Sequence, residues 1–320
     1  MSDRHTIFTW SERGAIADVR AALAFAGVLP AARDWRAFLD ALLLWSGAVA
    51  LAAAVVFFIA HNWNDVGRFA KFGFVELLLM AAVIGYWRLG PDRATGKASL
   101  LVAAILLGVL LALFGQTYQT GADTWELFAN WAVLMVPWVL IGRFAGLWML
   151  LIAIANVSIV FYFQLIPSFF WAFSRTERLF WALYAFNTVA LVGWELAAQR
   201  VAWLDERWAP RLLTVASGTT ITLLMLQSIF DWQEASKFAL FAYPVWLVCV
   251  YGTYRVLMCD LLVLAGGCLS LIVVVTAFLA KIIIDCGADA GSLFFIALVV
   301  VAMAAASGWR LKQVASEARK

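Results

Sequence analysis

The sequence predicts an all-α polytopic membrane protein of about ten transmembrane helices, and three observations predict it. Hydrophobic residues make up 65% of the 320-residue chain and charged residues only 13%, with a mean hydropathy of +0.91. Soluble domains carry about 45–50% apolar and about 25% charged residues. Apolar runs of about 20 residues, long enough to cross a bilayer as a helix, recur from Leu39 to Arg310. The basic residues gather in short clusters at the ends of those runs. The net charge of +3 is too small and too dispersed for a nucleic-acid partner.

In chain order, the first 38 residues are polar and lack the apolar core and cleavage site of a signal peptide. Within them Thr9-Trp10-Ser11-Glu12 has the form of a capping box, and Ile16, Val19 and Leu23 recur at helical spacing until Gly27 and Pro30. A short amphipathic helix at the membrane interface is expected there. Ten spans follow: Leu39–Ala60, Arg68–Leu89, Ala98–Gly115, Trp125–Ile141, Phe144–Ile166, Arg178–Ala198, Arg211–Phe230, Lys237–Leu257, Asp260–Ile284 and Ser292–Arg310. Ser46, Ala50 and Ala54 place small residues on one face of the first span, which suits close helix packing. Several of the 17 tryptophans, among them Trp63, Trp87, Trp125, Trp203, Trp232 and Trp309, fall near span ends, as an interfacial belt requires.

With the N-terminus placed in the cytoplasm, 17 of the 23 Lys and Arg residues fall on the inner side and six on the outer. The positive-inside rule therefore predicts both termini inside. An offset of 166 residues pairs Asp65 with Asp231, Lys71-Phe72 with Lys237-Phe238, and Gly121-Ala122-Asp123 with Gly287-Ala288-Asp289. Spans one to four and seven to ten begin on the same side, as a parallel duplication demands. The expected organisation is a segment 1–38, a four-helix unit 39–141, two linking spans 142–200, a second four-helix unit 201–310 and a tail 311–320.

Catalytic signatures for hydrolases and ATPases are lacking: there is no HExxH, Walker loop or GxSxG, and only two histidines, His5 and His61. The four cysteines show no zinc-binding or disulfide spacing, and no metal or cofactor is expected. Polar groups gather instead where helices meet the outer surface: His61, Asn62, Asn64 and Asp65 after span one, Lys71 and Glu76 in span two, and Gln116, Tyr118, Gln119, Asp123, Glu126 and Asn130 around the turn between spans three and four. His61, Asp65, Asp123 and Glu126 have suitable donors for a divalent cation, but no spacing ties them together.

Glu76 lies eight residues after Arg68, about 12 Å into its helix. A carboxylate at that depth needs a cation, a proton or a hydrogen-bonding neighbour, and marks an ion-pathway candidate. Lys71 is five residues away and points about 140° off, so Glu76 should look to another helix. Asn156 and Asn187, mid-span, are expected to bind helices together, and Glu195 to snorkel toward the inner surface.

The stretch Gly115-Gln116-Thr117-Tyr118-Gln119-Thr120-Gly121-Ala122-Asp123 has the pattern G-Q-x-Y-x-x-G-x-D. With the Ala60-His61-Asn62-Trp63 span end and the polar N-terminal helix, it resembles the bacterial membrane family called domain of unknown function 2157, over about the first 145 residues. The resemblance implies a topology and a set of positions (Gln116, Tyr118, Gly121, Asp123) but no mechanism. It also implies a possible partner, a small membrane protein with a GDYxxLxY motif. Gly121 would permit a left-handed turn where span three stops.

The functional expectation is a transporter or channel-like carrier for a small polar solute or ion. Its outward-facing pocket would be formed by Glu76, Lys71, Asp65, His61, Gln116, Tyr118, Asp123, Glu126 and Asn130. The alternative is a non-transporting assembly or sensor subunit that binds a periplasmic or membrane partner. A lipid-modifying enzyme ranks third.

Overall fold

A computed structural model describes residues 32–61, 67–119, 121–165, 174–231, 237–287 and 290–317, together with Ile7, Trp10, Ser11, Gly14, Ala22 and Leu23. Apart from those six positions, the expected N-terminal helix lies outside the described residues. The described chain is helical, with ten helices long and apolar enough to cross a membrane. They are α1 (Ala32–His61), α2 (Arg68–Leu89), α3 (Ala94–Tyr118), α4 (Thr124–Gly142), α5 (Ala145–Leu165), α6 (Arg175–Ala198), α7 (Trp208–Phe230), α8 (Phe238–Gly252, which spans together with the helical turn that follows it to Leu257), α9 (Leu261–Cys286) and α10 (Ala290–Glu317). Several outrun their apolar stretches: α1 begins seven residues before Leu39 and α10 continues seven beyond Arg310. Hydropathy marks where side chains prefer hydrocarbon, whereas a helix propagates until its backbone pattern is broken.

The chain divides into two compact units, Met1–Thr120 and Gly121–Lys320. In the first, α3 packs against both α2 and α1. Gly90, at φ +98°, turns the chain between α2 and α3. Small residues then let the two helices approach: the Ser99 hydroxyl donates to Ala82 O at 2.9 Å, and a Cβ on Gly85 would lie 2.6 Å from Ser99 Oγ. Val55, Val75, Leu106 and Leu113 form the core of this unit.

In the second unit, α4 and α5 form a hairpin through Arg143, whose left-handed φ of +46° ends α4 while its N–H donates to Val139 O. The Ser174 hydroxyl caps α6 by accepting from the Glu177 N–H. A short 3₁₀ turn, Ala202–Leu204, follows α6 and is anchored where the Trp194 indole donates to Leu204 O at 3.2 Å.

The central helix is α7, which packs against α6, α8 and α9. Its sequence explains the position, because Gly218 allows close approach, and Thr214, Ser217, Thr220 and Thr222 are small and carry hydroxyls that bond within or between helices. A Cβ on Gly218 would meet the Trp246 ring at 2.7 Å. α8 does not run unbroken to Leu257; it passes into a π-helical turn, Thr253–Leu257, in which Met258 N–H reaches back to Thr253 O. The Asp260 side chain then caps α9 by accepting from the Leu262 N–H at 3.1 Å.

Candidate functional site

The outward-facing residues singled out from sequence fall into both units. In the first unit Lys71 is buried, at 8% exposure, whereas Glu76 is exposed. Their divergence follows from five-residue spacing. Gln116 and Tyr118 are exposed at the end of α3, where the Tyr118 ring lies 6.1 Å from Phe72 and 4.8 Å from Phe114. Beyond Gln119, itself left-handed at φ +47°, Gly121 has φ +67°. His61 closes α1, but its side chain and the whole of Asp65 lie outside the described residues. Asp123, Glu126 and Asn130 belong to the second unit, at the start of α4; Asp123 and Asn130 are exposed and Glu126 is partly buried. Among the described residues no group of three or more His, Cys, Asp or Glu side chains is placed to hold a metal.

The second unit holds a denser set of buried polar groups, most of which sequence reasoning did not single out. Glu177 is 2% exposed, in the first turn of α6, and accepts from the Trp181 indole at 3.4 Å. Ser174, its cap, also accepts from Gln227 Nε2 at 3.2 Å, which ties the start of α6 to the end of α7. At the other end of α6, the Glu195 side chain is 12% exposed. It does not snorkel: Tyr254 donates to its Oε1 at 2.7 Å and Arg207 Nη1 pairs with its Oε2 at 3.3 Å. The π turn explains that contact, because the altered register directs Tyr254 inward, where it is buried against Glu195 and lies 3.5 Å from the Thr214 hydroxyl.

Glu177 and Glu195 are 18 residues apart, five full turns at 3.6 residues each, so they share one face of α6 about 27 Å apart. Trp181, Tyr184, Thr188 and Leu191 lie between them on that face. Thr188 and Ser217 of α7 share a hydrogen bond at 2.8 Å, and the Trp246 indole donates to the same Ser217 oxygen at 3.0 Å. Further along α7, the Thr222 and Ser270 hydroxyls are 2.7 Å apart, and Tyr243 OH lies 2.9 Å from Ser270. Beside these groups is a cleft of about 340 Å³ lined by Thr214, Gly218, Thr222, Trp246, Gly266 and Ser270.

Asn156 and Asn187 meet as a reciprocal amide pair, with Nδ2 to Oδ1 distances of 3.1 and 2.7 Å. Each Nδ2 also donates to a carbonyl one turn back, Ile152 O and Leu183 O. All four amide protons are thereby used, so this pair joins α5 to α6 and holds no donor in reserve. Arg211 and Asp260 form a further pair at 2.7 Å that fixes the start of α7 against the cap of α9. Arg255 pairs with Glu317 near the end of α10.

The signal for Glu177 was present in the sequence. Ser174-Arg175-Thr176-Glu177 repeats the capping-box form, and the 18-residue interval to Glu195 places both acids in register. The pairing of Tyr254 with Glu195 had no such signal, because a π turn is invisible to hydropathy.

With the helices and their polar contacts placed, comparison with known proteins adds one result. Residues 8–148 match the family model described as "Predicted membrane protein (DUF2157)". The match includes α1 to α4 and the Gly115–Asp123 motif, and ends within α5, before the buried acids of α6. No curated protein and no solved structure matches the chain. The protein is a membrane protein with many helical spans.

Proposed function

We propose that the protein is a carrier for a small polar solute or ion, and that its path runs through the second unit along the facing sides of α6 and α7. The observation that carries this reading is the pair of buried carboxylates, Glu177 and Glu195, near opposite ends of one helix face, with the hydroxyls of Thr188, Ser217 and Thr214 between their levels. Ionisable groups buried within spans are costly and mark ion and proton paths. The Ser/Thr residues on α7 from Thr214 to Thr222 cover about 12 Å.

In this reading the protein lies in a bacterial inner membrane with both termini inside, as its Lys and Arg distribution favours, and Glu177 is at the outer end. Asp123, Glu126 and Asn130 then flank the outer mouth, since α4 begins at the same end of its unit as α6. Gln116 and Tyr118, both exposed at the end of α3, would form a second outward polar surface on the first unit, with the exposed Glu76 deeper along α2.

The test is flux into liposomes reconstituted with the purified full chain, with entrapped dyes for protons, sodium and potassium. One of these species should enter at least tenfold faster than into empty liposomes, and Glu195→Gln and Glu177→Gln should each remove most of that excess. Flux equal to that of empty liposomes for ions and for a panel of small polar solutes would sink the carrier reading.

A second reading, an assembly subunit for a membrane partner, is favoured by a different observation. The exposed carboxylate of Glu76 is set in an apolar helix face.

A further inference from the structure

The residues of α2 divide into two faces. Lys71, Val75, Ala82 and Tyr86 are buried in the first unit. Phe69, Met80, Ile84 and Trp87, each more than half exposed, lie on another face at helical spacing, and Gly73 and Glu76 complete the same stripe. Nothing lies within 4 Å of the position that a Cβ on Gly73 would occupy, so the stripe has a notch one turn from the carboxylate. Exposure of the apolar residues alone would suit lipid. Glu76 does not, because an ion about 12 Å into a span, facing hydrocarbon, costs several kcal/mol unless a cation or donor meets it.

We infer that this face of α2 docks a separate transmembrane helix that places a lysine or arginine opposite Glu76, with Gly73 admitting the close approach of the partner backbone. The inference rests on the assembly reading above and names the chemistry of the partner. Charge complementarity selects a cation, and the chain itself favours a different molecule over a second copy. Of its described basic side chains within spans, Lys71 is buried and Lys281 is held by Asp285 at 3.1 Å. Arg310 and Lys312 stand where α10 turns polar, and the others lie within about one turn of the end of a span. None presents a basic group on an exposed apolar face at the depth of Glu76. A partner with such a residue would neutralise the carboxylate and gain an ion pair in a medium where neither charge is solvated. The apolar stripe on either side would pack by ordinary helix contact.

The test uses the full-length protein in nanodiscs and synthetic 23-residue transmembrane helices of Leu and Ala carrying a fluorophore. One peptide has a single lysine eight residues from the end that meets the Arg68 side of the membrane; the control has leucine there. The lysine peptide should bind at least tenfold more tightly than the leucine peptide. Glu76→Leu should erase that preference, and Glu76→Lys should transfer it to a peptide with glutamate at the same position. Thermal melts of each variant confirm folding, and Gly73→Leu, which leaves the charge in place, should weaken binding of the lysine peptide by a similar factor. Equal binding of lysine and leucine peptides would overturn cation recognition while leaving a docking face intact. Binding of neither peptide would overturn both the inference and the assembly reading. Self-association of the protein that is lost in Glu76→Leu would overturn the choice of a foreign partner.

Discussion

The two units place their acidic side chains in opposite ways. In the first unit Glu76 is on an exposed face of α2, amid phenylalanine, methionine, isoleucine and tryptophan. In the seven-helix unit Glu177, Glu195 and Asp260 are turned inward and met by Trp181, Tyr254 with Arg207, and Arg211 respectively. The difference shows what a carboxylate in a helical span requires. Where other elements surround it, phenol and guanidinium donors from them meet it, as at Glu195 and Asp260, while Glu177 takes the indole of Trp181 one turn along its own helix. In the first unit the three described helices leave the face of α2 that carries Glu76 exposed, and the partner helix inferred above would meet that demand.

From that contrast, substitutions in the second unit should cost folding stability, and the matching change at Glu76 should not. The largest effect is expected at Arg211. Asp260 is 4% exposed and its pair is 41% exposed, so Arg211→Leu should cost about 3 kcal/mol, the low end for a broken buried pair, because solvent already screens the guanidinium. Reversible unfolding in mixed micelles would measure it, and a loss below about 0.5 kcal/mol would mean that Asp260 is satisfied by its capping bond alone. Next is Gly218→Val, which drives side-chain atoms into the Trp246 ring and should cost about 2 kcal/mol, the usual range for overpacking. Near-wild-type stability there would show that Trp246 can move aside and that the α7–α8 contact is loose.

Asn156→Leu should cost about 1 kcal/mol by leaving the Asn187 amide short of a partner, and Asn156→Leu with Asn187→Leu should recover most of it. A double variant as unstable as the sum of the two singles would show that the amides act separately. The smallest effect belongs to Glu76→Leu. In the isolated protein it should change stability by less than about 0.5 kcal/mol, or stabilise. A loss above about 2 kcal/mol would show that Glu76 already has an essential partner within the chain, and the contrast between the two units would fall.

How much of this was legible beforehand differs from residue to residue. All ten spans were, with ends displaced by up to seven residues where α1 and α10 run on through polar sequence. The divergence of Lys71 from Glu76 follows from five-residue spacing, and the bond between Asn156 and Asn187 from the cost of an unpaired amide in hydrocarbon. Glu195 was misread as a snorkelling side chain, because position near a span end says how far an acid is from water but not which helix it faces. Glu177 was overlooked although its capping box and its register with Glu195 were both readable.

The sequence by itself therefore determined that the protein is a helical membrane protein, and roughly where each helix crosses. Transfer of an apolar stretch into a bilayer and the closure of its own backbone hydrogen bonds are local properties of about 20 residues. Only the tertiary structure decided that α7 is central, that a π turn brings Tyr254 to Glu195, and that Glu177 faces inward while Glu76 faces out. Those outcomes depend on which helices become neighbours and at what azimuth. Hydropathy carries almost no information about that choice, because leucine-rich helices are equally content against lipid and against one another.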